Sequence, residues 1–193
     1  MSTRSGLWLP GLQQVPSPNA DERPSGSEVD LLVVHNISLP PGEFGSGYIQ
    51  DLFLNRLNPE DHPYFREIAH LEVSAHLLIE RDGTTTQFVA LDRRAWHAGP
   101  SSFCGRERCN DFSIGIELEG SDTSPFTATQ YQRLASLSAQ MRALFPRIST
   151  PRIVRHSDSA PGRKTDPGPD FDWDSFRGLL AATEANPGRI QRT

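Results

Sequence analysis

The chain has 193 residues, 36% of them hydrophobic, and a formal net charge of −5, which bounds it to one compact domain with a full core and little spare sequence. The acidic balance argues against a nucleic-acid partner, since a protein that neutralises phosphates normally carries a basic stripe. No stretch approaches the roughly 20 apolar residues of a membrane span, and the N-terminus has no apolar run of signal-sequence length, so the expectation is a soluble, cytoplasmic protein without a membrane partner.

Residues 1–29 are read as an N-terminal arm, because positions 10–29 are rich in Pro, Ser, Asn and Asp without periodicity. The folded domain is expected over 30–185, its core beginning at Leu31, and 186–193 as a tail. Leu31 to His35 is a short apolar, partly β-branched run suited to a strand buried on both faces. Ile49, Leu52, Phe53 and Leu57 recur at helical spacing and predict a short helix between Gly47 and Leu57. Val73 to Ile79 and Thr85 to Leu91 flank Asp82-Gly83, which predicts an antiparallel hairpin.

Phe112 to Glu119 alternates, so Ser113, Gly115, Glu117 and Glu119 share one face and Ile114, Ile116 and Leu118 the other. On periodicity alone that polar face is solvated. Thr127 to Gln130 has the form of a capping box, and the stripe from Tyr131 through Leu134 and Met141 to Phe145 predicts the longest helix, stopped by Pro146. Pro151 to Arg155 reads as a strand delivering His156 into a loop, and Trp173 to Ala182 as a closing helix. Strands interspersed with helices predict an α/β (α+β) fold, a central mixed sheet flanked by helices in a single domain. Two cysteines, Cys104 and Cys109, are too few for a disulfide framework and lack a second pair for a structural zinc site, so free thiols are expected.

The segment from His156 to Pro169 concentrates ligand-type and proton-carrying side chains, and Pro161, Gly162, Pro167, Gly168 and Pro169 forbid regular structure there. It reads as a stiff active-site loop. His35 and His156 each follow a strand-like run, so a central sheet can bring them together. Two imidazoles and one carboxylate with an open fourth position suit catalytic zinc. Asp158 and Asp166 are equal candidates for the carboxylate at this level, as are Glu117 and Glu119 for the base. Each histidine singly is more often structural, and His62, His70, His76 and His97 offer competing pairs.

The stretches Leu32–Gly45, Ala95–Gly99, Gly105–Gly120 and Gly162–Gly168 together resemble the zinc N-acetylmuramoyl-L-alanine amidases, a family related to phage lysozyme-type amidases and peptidoglycan recognition proteins. The resemblance spans most of the chain. It implies a mixed sheet packed with helices, one zinc ion held by His35, His156 and Asp166, and reaction roles for Glu117 and Lys164. The implied reaction is hydrolysis of the amide joining (1,6-anhydro-)N-acetylmuramic acid to L-alanine in muropeptides, within cytoplasmic peptidoglycan recycling. The implied partner is the anhydro-muropeptide, and the expected state a monomer. Asn36, Trp96, His97 and Arg108 are the candidate substrate contacts, Arg108 for a peptide carboxylate. Two rival readings are a non-catalytic muropeptide-binding module of the same fold, and a non-haem iron oxygenase using His156 and Asp158.

Overall fold

The structure is a computed structural model that describes residues 6–186; residues 1–5 of the expected arm and 187–193 of the expected tail lie outside the described residues. In chain order the strands are β1 (Gln13–Gln14), β2 (Ala20–Asp21), β3 (Leu31–Ile37), β4 (Leu77–Ile79), β5 (Thr85–Gln87), β6 (Arg94–Ala95), β7 (Ser102–Phe103), β8 (Arg106–Glu107), β9 (Ser113–Glu119) and β10 (Ile153–Arg155). The helices are α1 (Tyr48–Phe53), α2 (Phe65–Ile68), α3 (Ala128–Leu144), α4 (His156–Ser159) and α5 (Trp173–Ala185), with short 3-10 turns at Cys109–Asp111 and Thr150–Arg152.

Six strands form one sheet in the order β1-β5-β4-β9-β3-β10. All pairs are parallel except β4 and β5, the hairpin expected around Asp82-Gly83. The mixed sheet flanked by helices is therefore as the sequence reads. One face carries α3 and α5. The capping box forms, Thr127 accepting from the Gln130 N–H while the Gln130 side chain accepts from the Thr127 N–H. Leu134, Leu137 and Met141 of α3 and Trp173, Phe176 and Leu180 of α5 join Leu32, Val34, Ile114, Ile116 and Leu118 in one core cluster. Truncating a fully buried ring such as Phe176 to alanine costs about 3–5 kcal/mol.

The other face has two apolar patches. One, under α1 and α2, includes Ile49, Leu52, Phe53, Phe65, Leu78 and Phe88. The second joins Leu31 and Val33 of β3 to Ala98, Cys109 and Phe112. His35 lies on this face by strand parity, beyond Val33.

Several expectations are corrected. The face of β9 that bears Ser113, Gly115, Glu117 and Glu119 is not solvated: all seven residues are buried, because β9 is a central strand covered on both sides. Helix α1 is shorter than Gly47–Leu57, since Asn55 takes a left-handed backbone that ends it. The hairpin pairs only three residues on each side. His156 opens one helical turn rather than a loop; the helix-breaking residues begin only at Pro161, which leaves four residues free to coil. The core begins before Leu31, for Leu9 and Val29 are buried in the main cluster and β1 extends the sheet. Cys104 is exposed, Cys109 is buried, and both are free.

Candidate metal centre

His35 near the end of β3 and His156 just beyond β10 are neighbours because those strands pair in parallel, with Arg155 opposite Val34. Asp166 arrives by a tight return. Ala160 ends α4, its carbonyl accepts from the Arg163 and Lys164 N–H groups, and the Asp166 carbonyl accepts from the Ser157 N–H. The result places His35 Nδ1 3.0 Å from His156 Nδ1, with Asp166 Oδ2 3.2 Å from the first and 3.0 Å from the second. All three residues are buried. Among the described residues they form the cluster that could hold a metal ion.

Hydrogen bonds at the far side of each ring fix what these atoms are. His156 Nε2 lies 3.2 Å from the Ala98 carbonyl, an acceptor only, and 3.5 Å from Arg163 Nη2, a donor only; the nearer contact sets the proton on Nε2, and Nδ1 keeps a lone pair. His35 Nε2 lies 2.9 Å from His97 Nδ1. His97 Nε2 in turn lies 3.1 Å from the Ser113 hydroxyl, whose own hydrogen goes to the Cys109 carbonyl at 2.6 Å. Ser113 therefore accepts from His97 Nε2–H, His97 Nδ1 accepts from His35 Nε2–H, and His35 Nδ1 is left with a lone pair. Two imidazole lone pairs and a carboxylate at these separations repel one another unless a cation lies between them. Donors bound tetrahedrally to one zinc ion sit roughly 3.3 Å apart, so the set fits such an ion.

The charge state agrees. Burial pushes the His35 imidazole down to about 4, so it is neutral near pH 7. A metal requires its histidine ligands in this deprotonated form.

Glu117 is the register partner of His35 across β3 and β9, and its Oε1 lies 4.0 Å from His35 Nδ1. Its Oε2 is buried without a hydrogen-bond partner. Burial, with the Asp166 charge adding to it, pushes the Glu117 carboxyl well above the usual range, against the Lys164 charge. Glu119 shares the face but is occupied, accepting from the Gly45 and Arg81 N–H groups. Asp158 is exposed and accepts from the Arg155 N–H, so it stands apart from the cluster that the iron reading needs it to join. Lys164 is exposed in the returning loop, near enough for its charge to act on both His35 and Glu117.

Of the candidate substrate contacts, Asn36 donates to Asp122 at 2.8 Å. Trp96 donates its indole N–H to Asp21 at 3.2 Å. Both ring nitrogens of His97 are taken by His35 and Ser113. Arg108 is largely exposed beside Asp111 and lines a cleft of about 540 Å3 with Ser101, Glu107, Ala160, Pro161 and Arg163. A larger cavity of about 1270 Å3, bordered by Thr85, Thr129, Arg133 and Leu179, includes none of the clustered residues, so size does not mark this site. Arg163, which the sequence sets beside Lys164 as one of the local bases able to receive an acidic substrate, donates to the Pro100 and Ala98 carbonyls. Sequence reasoning missed Ser113, although the alternation already set that residue on the face of Glu117.

A sequence profile described as N-acetylmuramoyl-L-alanine amidase (Amidase_2) matches residues 25–169. The chain is 57% identical over 174 residues to 1,6-anhydro-N-acetylmuramyl-L-alanine amidase AmpD of Escherichia coli strain K12, covering 90% of this chain and 94% of that one. A crystal structure of a selenomethionine AmpD derivative superposes with a TM-score of 0.87 at 57% identity, covering 90% of this chain and 96% of that one. AmpDh3 from Pseudomonas aeruginosa in complex with anhydromuramic pentapeptide superposes with a TM-score of 0.62 at 27% identity, over 81% of this chain and 61% of that one. No helix among the described residues is long and apolar enough to cross a membrane. The chain belongs to the N-acetylmuramoyl-L-alanine amidase family and is an amide hydrolase of that class.

Proposed function

We propose that the chain is a zinc-dependent enzyme that hydrolyses the amide between (1,6-anhydro-)N-acetylmuramic acid and L-alanine in muropeptides, acting as a monomer in cytoplasmic peptidoglycan recycling. The observation that carries this reading is the convergence of His35 Nδ1, His156 Nδ1 and Asp166 Oδ2 beside a buried carboxylate, Glu117, with an unpartnered oxygen. The names of the relatives supply the bond and the sugar.

His35, His156 and Asp166 would hold the zinc ion, which when bound acts as a Lewis acid, polarising a carbonyl and lowering the pKa of water to about 7. Glu117, its affinity for a proton raised by burial, accepts the proton of the attacking water and returns it to the departing amine of L-alanine. Lys164 sets a positive charge where the tetrahedral oxyanion develops. Arg108 and Arg163 at the neighbouring cleft would provide guanidinium groups for stem-peptide carboxylates, and Trp96 and Asn36 are the candidates for contact with the sugar. His97 lies against the site through His35, and its ring can contribute contact area but no free nitrogen.

Mass spectrometry of products from an anhydro-muropeptide tests the reading. Zinc-loaded protein releases free anhydro-N-acetylmuramic acid and a peptide beginning with L-alanine, and chelated protein does not. Binding without release, or release that survives chelation, overturns it.

A further inference from the structure

Both histidines of the cluster are oriented by one dipeptide. The His97 side chain receives the His35 Nε2–H, and the next residue's carbonyl, that of Ala98, receives the His156 Nε2–H. The dipeptide is itself clamped from one side of the chain. The Asn110 side-chain oxygen accepts from the backbone N–H of His97 at 3.2 Å and of Ala98 at 2.8 Å. Ser113, three residues on, takes the remaining His97 proton. Gly115 completes the seat, because a Cβ there would fall 2.5 Å from the His97 ring.

We infer that His97-Ala98, held by Asn110 and Ser113, is a positioning bracket that sets the tautomer and ring orientation of both metal-binding histidines, replacing the two separate second partners that such ligands ordinarily need. The inference rests on the metal reading above and adds its regulation of affinity. The bracket uses a neutral imidazole and a carbonyl where a carboxylate is common. Neither an imidazole nor a peptide carbonyl bears a negative charge, so the bracket adds none to that of Asp166. Asn110 acts on both rings through the backbone, whereas Ser113 acts on His35 alone, through His97. Without the Ser113 hydroxyl, His97 is free to present Nδ1–H to His35, which forces the proton of His35 onto Nδ1, the atom facing the site.

Two measurements test this. The first is zinc affinity by competition with a chromophoric chelator, on full-length wild type, Ser113→Ala, Asn110→Ala and Asn110→Asp, with urea unfolding of each apo form as a control. Ser113→Ala and Asn110→Ala bind zinc about 10- to 100-fold more weakly. Asn110→Asp, which keeps an acceptor for both N–H groups, stays within about threefold of wild type. The second is long-range 1H–15N NMR of the metal-free wild type, where His35, His97 and His156 each carry their proton on Nε2. Folded Ser113→Ala and Asn110→Ala with wild-type affinity, or His35 and His97 protonated on Nδ1, overturn the bracket. If the wild type binds no zinc, the metal reading falls, and the tautomers alone decide the bracket.

Discussion

Glu117 sits directly across from His35 on an adjacent parallel strand, and its Oε1 comes within 4.0 Å of His35 Nδ1. The pairing puts a carboxylate beside the proposed metal without making it a ligand, since the two nearer contacts of His35 Nδ1 are His156 and Asp166. Its other oxygen is buried and unpartnered, the condition expected of a group that exchanges a proton with a substrate-derived partner rather than holding the fold together.

Glu117→Gln accordingly retains bound zinc and loses about 10²- to 10⁴-fold in turnover. Metal content by atomic emission, set beside product release, checks both halves. Wild-type turnover in this variant removes Glu117 from the reaction.

Asp166 and Asp158 separate cleanly. Asp166→Ala loses the metal together with the activity, because it deletes one donor of three. Asp158→Ala keeps both and loses no more than about 1 kcal/mol of stability, its side chain doing only the work of capping the Arg155 N–H. Equilibrium dialysis of the two variants with zinc distinguishes them.

These choices also show how far the sequence could be read. The strand ahead of His35, the hairpin at Asp82-Gly83 and the capping box at Thr127 are local patterns, and each forms. The facing of His35 and Glu117 is a matter of register between β3 and β9, residues more than eighty positions apart, which no local period fixes. Preference for Asp166 depends on the return of the loop through Ala160 and Ser157. Burial of both acids on β9 was illegible for the same reason: alternation tells which residues share a face, not what covers it. His62 and His70, equal to His35 as sequence candidates, lie elsewhere, one accepting from the Tyr64 N–H and the other exposed.

Stability depends on pH through His76. The ring is wholly buried, its Nδ1 accepts from the Gly115 N–H, and burial pushes its pKa down from 6.5 to about 3. Between those values the unfolded chain holds a proton that the folded chain refuses, so stability is full above about pH 6.5 and is lost as pH falls through the window. His76→Asn removes that group, and its loss of stability from pH 7 to pH 5 is smaller than that of wild type by about 2 kcal/mol. Urea unfolding of the metal-free proteins at the two pH values measures it, and identical slopes refute the assignment.

Gly115→Ala tests the packing beneath His97. The added methyl meets the ring at 2.5 Å, and relieving that overlap costs about 1–3 kcal/mol while moving His97 away from His35. Lower thermal stability and weaker zinc binding arise together in this variant. Unchanged zinc affinity in a destabilised Gly115→Ala separates packing from ligand orientation.

The most direct test of the central claim is anomalous diffraction at the zinc edge from crystals of the zinc-loaded protein. The account predicts a single strong peak within about 2.0–2.2 Å of His35 Nδ1, His156 Nδ1 and Asp166 Oδ2. A peak elsewhere, or one bound through the Nε2 atoms of these histidines, contradicts it.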